Sequence, residues 1–542
     1  MANDETIDVD RMLAYAGDFS RYQIILTCLF SIINILSAFH YFGQTFSSLT
    51  PEYRCNSTSY NQTETLALEC SIEFFKNGSK YLEEMCDTGW VYNDTNTYGY
   101  ISIVQELNWV CSDSWKPVLG QSVFFIGSVL GGIVLGVLAD NIGRLHVLVL
   151  ANMFAFVGNG ITTLSNNAIV FSISRFIAGC ATDANFVMMY IIVMEYLRPS
   201  MRTFGLNICI GLFYSLSCMA IPWVASWVGN WRNFLIIISF SHVPVLLFYF
   251  IVPESAQWLL SKGRTEEAIK CFQRIAKINR KTIDPKTIEG LKVYSNQHIN
   301  KKQENSENFF GLVKTPNLRR KTLILIYKSM ILSLCYDAIS KNVNGVGMSP
   351  FVVFTVTSST ILPACVFILA VQDIVGRKAL ASGSLLVSGT FSACAGIYLV
   401  FVQNPEPIVI LTLAIVARLG INIAYNSGHQ YAVELLPTVV RGQGVAVIHV
   451  AGYGATFFST QILYLADFWL PSPEIILGLL MISGAMACLF LPETLNKTLP
   501  VTLADGEEFG EDEKLWQFAM CGKNNTESTT TLHNDFDNLP RY

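Results

Sequence analysis

Long apolar runs separated by short polar loops make up most of the chain. A helix that crosses a bilayer needs roughly 20 apolar residues, and twelve runs are about that long. They lie at 22–46, 117–139, 147–166, 170–194, 204–228, 232–252, 322–343, 350–371, 379–402, 407–433, 442–465 and 473–491. The pattern predicts an all-α polytopic membrane protein with twelve transmembrane helices, which are called spans below and numbered in chain order.

The polar loop between the second and third spans recurs between the eighth and ninth spans. Both copies contain an Asp-x-x-Gly-Arg core, and Asp373 follows Asp140 by 233 residues (373 − 140). Their residues are Gly136, Asp140, Gly143 and Arg144 in the first copy, and Asp373, Gly376, Arg377 and Lys378 in the second. Because hydrocarbon does not accommodate Asp or Arg, each loop is expected to join two spans as a hairpin.

Two further motifs repeat in the same order. The segment 195–202 is echoed by 434–441, and the Pro-Glu-Ser sequence at 253–255 is echoed by the Pro-Glu-Thr sequence at 492–494. Both offsets are 239 residues (434 − 195 and 492 − 253). The repeats predict two pseudo-symmetric six-helix halves, with a substrate site between them near the membrane midplane.

The positions of basic residues predict the orientation. Fifteen of the 36 Lys and Arg residues lie at 253–321, so the positive-inside rule places this loop and both termini in the cytoplasm. The resulting parts are a cytoplasmic N-terminus (1–21), the first half (22–252) with an extracellular loop (47–116), a cytoplasmic loop (253–321), the second half (322–491) and an acidic, disordered tail (492–542). A helix from Thr265 is expected to brace the two halves.

The extracellular loop carries two signals of an oxidising compartment. Glycosylation acceptors are expected at Asn56, Asn61, Asn77 and Asn93. The loop also holds an even set of cysteines, Cys55, Cys70, Cys86 and Cys111, which predicts two disulfides. Four cysteines allow three pairings, and the sequence does not choose among them.

Composition excludes several classes of protein. Half of the residues are hydrophobic (51%), 14% are charged and the mean hydropathy is +0.40, unlike a soluble domain. The net charge of −5 is spread over loops and the tail, which argues against a nucleic-acid partner. No nucleophile–base pair, metal-ligand cluster or phosphate-binding loop appears at usable spacing, so neither an enzyme nor a bound cofactor or metal is expected.

The duplicated Gly-x-x-x-Asp-x-x-Gly-Arg loop resembles that of the major facilitator superfamily. Three further motifs, Thr50-Pro-Glu-Tyr-Arg-Cys55, Pro253-Glu-Ser-Ala-Gln-Trp-Leu259 and Leu491-Pro-Glu-Thr494, are similar to those of the organic cation, anion and zwitterion transporters of solute carrier family 22. The resemblance covers nearly the whole chain. It implies transport of small charged organic molecules, without ATP, by a multi-pass protein of the plasma membrane.

The repeated charges are expected to gate the transporter. Contacts among them can form in one state and break in another, and glycines permit close approach of the backbones. The predicted gating residues are Gly136, Asp140, Gly143, Arg144, Glu195 and Arg202, with Asp373, Gly376, Arg377, Lys378, Glu434 and Arg441. The alternative is a static loop salt bridge.

An acid in the fourth span is the strongest candidate for substrate binding. Asp183 lies near mid-span, and Phe186 and Tyr190 follow at i+3 and i+7, on the same helical face. A carboxylate and aromatic rings together suit an ammonium group. The alternative is that Asp183 pairs with Arg418 while the two rings only pack.

Other spans contribute further candidates. Tyr336 and Asp337 lie where the resemblance places a cavity-facing Tyr-Gln pair, and Asn426 matches a cavity-facing amide. Tyr453 occupies a position where cation transporters tend to carry Asp and anion transporters Arg, so the usual charge selector is absent. Arg418 is weighed equally as a ligand for a substrate carboxylate and as a structural residue.

Two lysines and three histidines in the spans are not expected to bind the substrate. Lys328 and Lys341 are near the ends of the seventh span and are expected to snorkel to water. Three intramembrane histidines, His40, His429 and His449, could relay protons, although satisfied hydrogen bonding is the more common role of such residues.

The expected function is alternating-access transport of small organic cations or zwitterions, such as carnitine-, choline- or carcinine-like amines, across a lipid bilayer. One rival is an organic anion transporter, in which Arg418, Lys328 or Lys341 faces the cavity and Asp183 is paired elsewhere. Another is a receptor-like protein of the same fold that does not transport. The sequence does not specify a coupling ion.

Overall fold

The computed structural model describes residues 9–17, 20–56, 65–76, 79–93, 95–197, 209–304, 309–343, 348–495, 497, 499–500, 502–511 and 513. This part of the chain has 11 helical stretches long and apolar enough to cross a membrane, and a shorter apolar twelfth. They are Arg21–Ser47, Cys111–Ile142, Arg144–Thr163, Ala168–Tyr196, Gly211–Val228, Trp231–Ile251, Pro316–Lys341, Pro350–Val375, Arg377–Phe401, Pro407–Leu435, Arg441–Asp467 and Ser472–Cys488. The twelve predicted spans are confirmed, each within a few residues of its predicted bounds where the structure describes them.

Several spans are interrupted. The fourth consists of Ala168–Gly179 and Thr182–Tyr196, and the eighth of Pro350–Ser358 and Ile361–Val375. The fifth span consists of Cys209–Tyr214, a π-helix, and Ser215–Val228. The sixth consists of Trp231–Ser241, Val243–Leu247 and Phe248–Ile251. The eleventh consists of Arg441–Thr456, Ser459–Tyr464 and Leu465–Asp467. Broken helices at mid-membrane are typical of transporter binding sites.

The loop after the first span contains five short strands, which the all-helical prediction did not include. Strand β1 (Glu52–Cys55) pairs antiparallel with β5 (Trp90–Asn93). The other three form an antiparallel sheet in the order β2 (Thr65–Ala67), β3 (Ser71–Lys76) and β4 (Ser79–Met85). These strands define one end of the bundle, called the strand face. The opposite end, which carries the duplicated charged loops, is called the latch face.

Two disulfides hold the strand region together. Cys55 bonds to Cys86 and Cys70 to Cys111, with Cα–Cα distances of 5.7 and 5.6 Å. The prediction that these four cysteines pair among themselves is confirmed, and the structure selects one of the three pairings. Because Cys111 begins the second span, the second disulfide anchors the strands to a membrane helix.

The predicted glycosylation sites have no structural test. Asn93 is exposed and its amide donates to Glu52 Oε2 at 3.0 Å, whereas Asn56 is half-buried. Asn61 and Asn77 lie outside the described residues. Glycosylation of all four therefore stays a prediction.

Short helices cover the latch face of the first half. They are Val9–Ala16, Ala256–Ser261, Thr265–Ile278 and Pro285–Glu304. Phe272 and Ile275, in the helix Thr265–Ile278, are buried in a cluster with Met12 and Tyr22. Every buried residue of that cluster precedes residue 292. The expectation that this helix braces both halves therefore needs correction, because the cluster joins the helix to spans of the first half.

The beginning of the tail is folded, which corrects the expectation of disorder for that part. Leu503–Glu508 forms a helix. Glu507 accepts hydrogen bonds from the backbone N–H groups of Asn317 (2.9 Å) and Leu318 (2.7 Å), at the start of the seventh span. Carboxylates are favoured at such helix N-termini because the backbone amides there lack partners.

Glycines let the second and fourth spans touch backbone to backbone. A Cβ atom on Gly179 would lie 2.0 Å from the Phe124 carbonyl oxygen, and one on Gly131 would lie 2.3 Å from that of Cys180. No side chain fits at either position. This contact fixes the fourth span against the second at the point where the fourth span is broken.

Candidate functional site

The latch face of the first half is a compact set of charge contacts. Arg144 pairs with Asp140 at 2.9 Å on one turn of helix. Glu254 accepts from the backbone N–H groups of Arg144 (2.9 Å) and Leu145 (3.2 Å), where the third span begins. The Ser255 hydroxyl donates to Glu195. The Pro-Glu-Ser motif therefore caps the third span and fastens the end of the fourth.

The second half repeats this arrangement. Arg377 pairs with Asp373 at 2.8 Å, and its backbone N–H donates to Glu493 at 2.9 Å. The Thr494 hydroxyl donates to Glu434, which also lies 3.4 Å from the Arg377 guanidinium. The matching motifs of the two halves thus make matching contacts. The sequence shows the Pro-Glu-Ser and Pro-Glu-Thr motifs as a repeat but does not predict that Glu254 and Glu493 cap helices.

The remaining predicted gating residues are Gly136, Gly143, Arg202, Gly376, Lys378 and Arg441. Lys378 is buried and donates its backbone N–H to Glu493, and Arg441 donates to the Leu436 carbonyl at 3.1 Å. Arg202 lies outside the described residues. Gly143 and Gly376 have φ angles of +113° and +95°, values that favour glycine. A gating role for all of these residues stays a prediction.

Neutralising either capping glutamate is expected to loosen one half. Glu254→Gln and Glu493→Gln should each lower the free energy of unfolding by about 1–2 kcal/mol, because a hydrogen-bonded charge at a helix N-terminus is lost. Thermal melting of the purified variants measures this. Glu267→Gln is the control, since Glu267 pairs with Arg264 on the surface and exposed pairs contribute little. Unequal effects of the two cap variants would contradict equivalent roles.

The two halves meet toward the strand face. The hydroxyls of Ser122, in the second span, and Thr460, in the eleventh, lie 2.8 Å apart. The Phe42 ring of the first span meets the Phe354 ring of the eighth edge-on, with ring centroids 5.4 Å apart. At the latch face, in contrast, each charge pair described above joins residues of the same half, and the Asp140 side chain is 73% exposed.

Asp183 lies at the interface between the halves. It is in the first turn of the second segment of the broken fourth span. The Ser128 hydroxyl donates to Asp183 Oδ2 at 3.3 Å, and the Tyr453 hydroxyl from the other half also interacts with this carboxylate. Neither partner that the structure describes is cationic. The alternative pairing with Arg418 is therefore not observed in this conformation.

Aromatic rings extend from Asp183 in two directions. Phe186 and Tyr190 stack on each other with centroids 6.0 Å apart and planes at 23°, so the predicted shared helical face is observed. In the second half, the Tyr425 hydroxyl interacts with that of Tyr453, and the centroids of the Tyr425 and Tyr336 rings are 4.5 Å apart. Both sets are partly exposed. The carboxylate is thus bordered by aromatic residues of both halves.

Asp337 is neutralised within the protein. It is 0% exposed and forms a 2.9 Å salt bridge with Lys341. The hydroxyls of Tyr41, from the first half, and Ser459 donate to its two oxygens, each at 2.6 Å. The carboxylate is therefore saturated in this conformation and adds no free negative charge to the site.

The expectation that Lys328 and Lys341 snorkel to water is wrong in this conformation. Lys341 is 7% exposed because it pairs with Asp337 one turn away on its own helix. Lys328 is 1% exposed and donates to the Gly428 carbonyl at 2.6 Å. Each ammonium group finds an acceptor inside the bundle, which removes the need to reach the membrane surface.

The buried arginines occupy matching structural positions. Arg418 is 1% exposed, stacks over the Tyr336 ring at 4.6 Å and donates to the Tyr336 carbonyl at 2.9 Å. Its counterpart Arg175 stacks over Phe124 at 5.0 Å and donates to Asn159 at 3.1 Å. Both contacts stay within one half. The structural alternative for Arg418 is the one that this geometry favours.

The other polar candidates are Asn426 and three histidines of the spans. Asn426 is exposed, and its amide donates to the Asn422 carbonyl at 2.9 Å. His40 is hydrogen-bonded at both ring nitrogens, to Ala178 and Asn159. His429 and His449 stack with centroids 4.6 Å apart. No group of three or more possible metal-binding His, Cys, Asp or Glu side chains occurs within the residues that the structure describes.

Two halves that meet around an acid at mid-span and carry duplicated charge clusters at one end are built to move against each other. The class of protein is therefore a membrane transporter with the major facilitator fold. A structure of the xylose transporter XylE from E. coli in its inward-open conformation shares this fold, with a TM-score of 0.62 at 16% identity, and the match covers 90% of this chain and 99% of that one.

Sequence relatives narrow the family. Residues 44–501 match the family described as sugar (and other) transporter. Solute carrier family 22 member 2 from Rattus norvegicus is 30% identical over 431 residues, which are 79% of this chain and 75% of the relative. The organic cation transporter protein from Drosophila melanogaster is 29% identical over 529 residues, with 93% and 95% coverage. The chain belongs to the sugar (and other) transporters of the major facilitator superfamily, within solute carrier family 22.

Proposed function

We propose that the protein carries small organic cations, or zwitterions with a cationic amine, across the plasma membrane by alternating access. The observation that carries the proposal is the Asp183 carboxylate, which lies between the halves with only hydroxyl partners among the described residues. An unpaired charge inside a membrane protein is costly and indicates a functional site. A substrate ammonium would supply the missing counter-charge.

The aromatic surroundings suit an alkylated amine. Phe186 and Tyr190 offer ring faces on the latch side of Asp183, and Tyr425 and Tyr453 offer them from the other half. A desolvated cation over an aromatic ring gains about 2 kcal/mol. The names of the relatives, which include organic cation transporters, support the same class of substrate.

The charge balance favours cations over anions. Lys341 is paired with Asp337, Lys328 with a carbonyl, and Arg418 lies over Tyr336. An anion carrier would instead present one of these cations to the cavity. Asp183 is therefore the group left to attract a substrate charge, and that charge is positive.

The proposed cycle begins from a state open to the latch face. Contacts between the halves close the strand face, while the charge pairs of the latch face lie within each half. With the latch face in the cytoplasm, as the basic loops predict, and both termini there, this conformation would release an imported substrate. The duplicated charge clusters would then re-form contacts across the halves in the opposite state.

Uptake of a radiolabelled panel tests the proposal. Cells expressing the protein should accumulate tetraethylammonium, carnitine or carcinine saturably, and should not accumulate an aromatic carboxylate beyond vector-transfected cells. Exclusive uptake of the carboxylate would overturn the proposal and direct attention to Arg418. Binding of tetraethylammonium by the purified protein without any uptake would instead indicate a receptor-like function.

A further inference from the structure

The ammonium group of Lys341 occupies a small cage between the halves. It lies 2.9 Å from Asp337 Oδ1, 4.5 Å from the centre of the Phe125 ring and 5.1 Å from that of Tyr41. One carboxylate and two aromatic rings are the chemistry that recognises organic ammonium ions. The cage is therefore a cation site whose present occupant is a side chain of the protein itself.

The cage lies next to Asp183, on the side of the strand face. Phe125 precedes Ser128, which contacts Asp183, by three residues, or about 4.5 Å along the second span. On the eleventh span, Ser459, which donates to Asp337, follows Tyr453 by six residues, or about 9 Å. A cation that enters from the strand face would meet Asp337 first and Asp183 about one to two helical turns later.

Motion of the halves would open the cage. Tyr41 and Phe125 belong to the first half, and Asp337 and Lys341 to the second, so opening the strand face separates the rings from the ion pair. Among the described residues, Asp337 is the acceptor that the Lys341 ammonium has. Exchange of one ammonium for another keeps Asp337 neutralised throughout, which avoids a buried unpaired charge.

We propose that Asp337, Tyr41 and Phe125 form a second cation site, which Lys341 fills while the strand face is closed. When that face opens, a substrate ammonium group displaces Lys341 from Asp337, and the two rings return as the face closes. Lys341 then acts as a tethered competitor that clears the site on closing and passes the substrate on to Asp183. This inference rests on the proposed transport of organic cations.

Removing the tethered ammonium tests the proposal by equilibrium binding of radiolabelled tetraethylammonium to purified protein. Asp183→Asn should bind weakly. Adding Lys341→Met should restore binding at least tenfold, because Asp337 gains a free cage, and adding Asp337→Asn as well should abolish the gain. Lys328→Met in the same background is the matched control, since Lys328 is a buried lysine paired with a carbonyl, and it should restore nothing.

The outcomes separate the two proposals. If Asp183→Asn alone binds and transports like the wild type, the proposed role of Asp183 fails, whatever the Lys341 variant does. If Asp183→Asn weakens binding and Lys341→Met does not restore it, the second site is overturned. Should Lys341→Met not fold, Lys341→Arg keeps the charge and holds Asp337 through two hydrogen bonds. Its maximal uptake rate should fall at least fivefold relative to Lys328→Arg, and an unchanged rate would overturn the proposal.

Discussion

Asp183→Asn is expected to reduce uptake of organic cations by at least about thirtyfold while the amount of protein at the cell surface is unchanged. Two unit charges about 4 Å apart gain about 4 kcal/mol at an effective dielectric constant of about 20, and half of that energy corresponds to roughly a thirtyfold change in affinity. Asparagine keeps the size of the side chain and its hydrogen bond to Ser128 but removes the charge. Initial uptake rates over a range of tetraethylammonium concentrations measure the loss.

Glu474→Gln is the matched control for this experiment. Glu474 is also an intramembrane acid, but it is hydrogen-bonded to Asn342 (2.7 Å) and Ser392 (2.7 Å) within the second half. A general effect of neutralising an acid in the membrane would appear in both variants. Normal cation uptake by Asp183→Asn, or an equal loss in Glu474→Gln, would show that Asp183 is not the counter-charge of the substrate.

Gly179→Ala is expected to prevent assembly of the first half. The new Cβ atom would lie 2.0 Å from the Phe124 carbonyl oxygen, a backbone atom that cannot rotate away. The second and fourth spans must then separate, at a cost of about 3 kcal/mol or more, and the break that positions Asp183 moves with them. We expect little monodisperse protein in detergent and no uptake.

Gly383→Ala controls for the substitution itself. Gly383 lies in the ninth span, and a Cβ atom there would meet nothing within 4 Å, so this variant should fold and transport normally. Size-exclusion chromatography of both variants gives the comparison. A monodisperse, active Gly179→Ala protein would mean that the two spans are not in backbone contact.

The sequence predicts the features that depend on residues close to one another along the chain. Twelve spans and the repeated latch motifs are visible because apolar length and fixed offsets are properties of the chain alone. Phe186 and Tyr190 were placed on the face of Asp183 by helical periodicity, and the structure shows them stacked there. The spacing of Asp337 and Lys341, four residues apart on one helix, also permits the ion pair that the structure shows, although the sequence analysis predicts that Lys341 snorkels to water.

The contacts that complete the site come from other spans. Ser128, Tyr41 and Tyr425 gave no signal in the sequence, because a hydroxyl in an apolar run is ordinary until its neighbours are known. Tyr453 was noticed only because a charged selector was expected there. Its contact with Asp183 depends on how the eleventh span faces the fourth, and one sequence does not specify the rotation of one helix against another.

The disulfide-bonded strand region also bears on pharmacology. Within it, the Asn96 carbonyl accepts a hydrogen bond of 2.7 Å from Ser349, at the start of the eighth span. Part of the first half thus rests on the second half, on the face that the basic loops predict to be extracellular. An antibody fragment that bridged these two segments would hold the strand face shut and stop turnover without entering the substrate path. Such an inhibitor would be noncompetitive, and its selectivity would come from a loop rather than from the shared chemistry of a cation site.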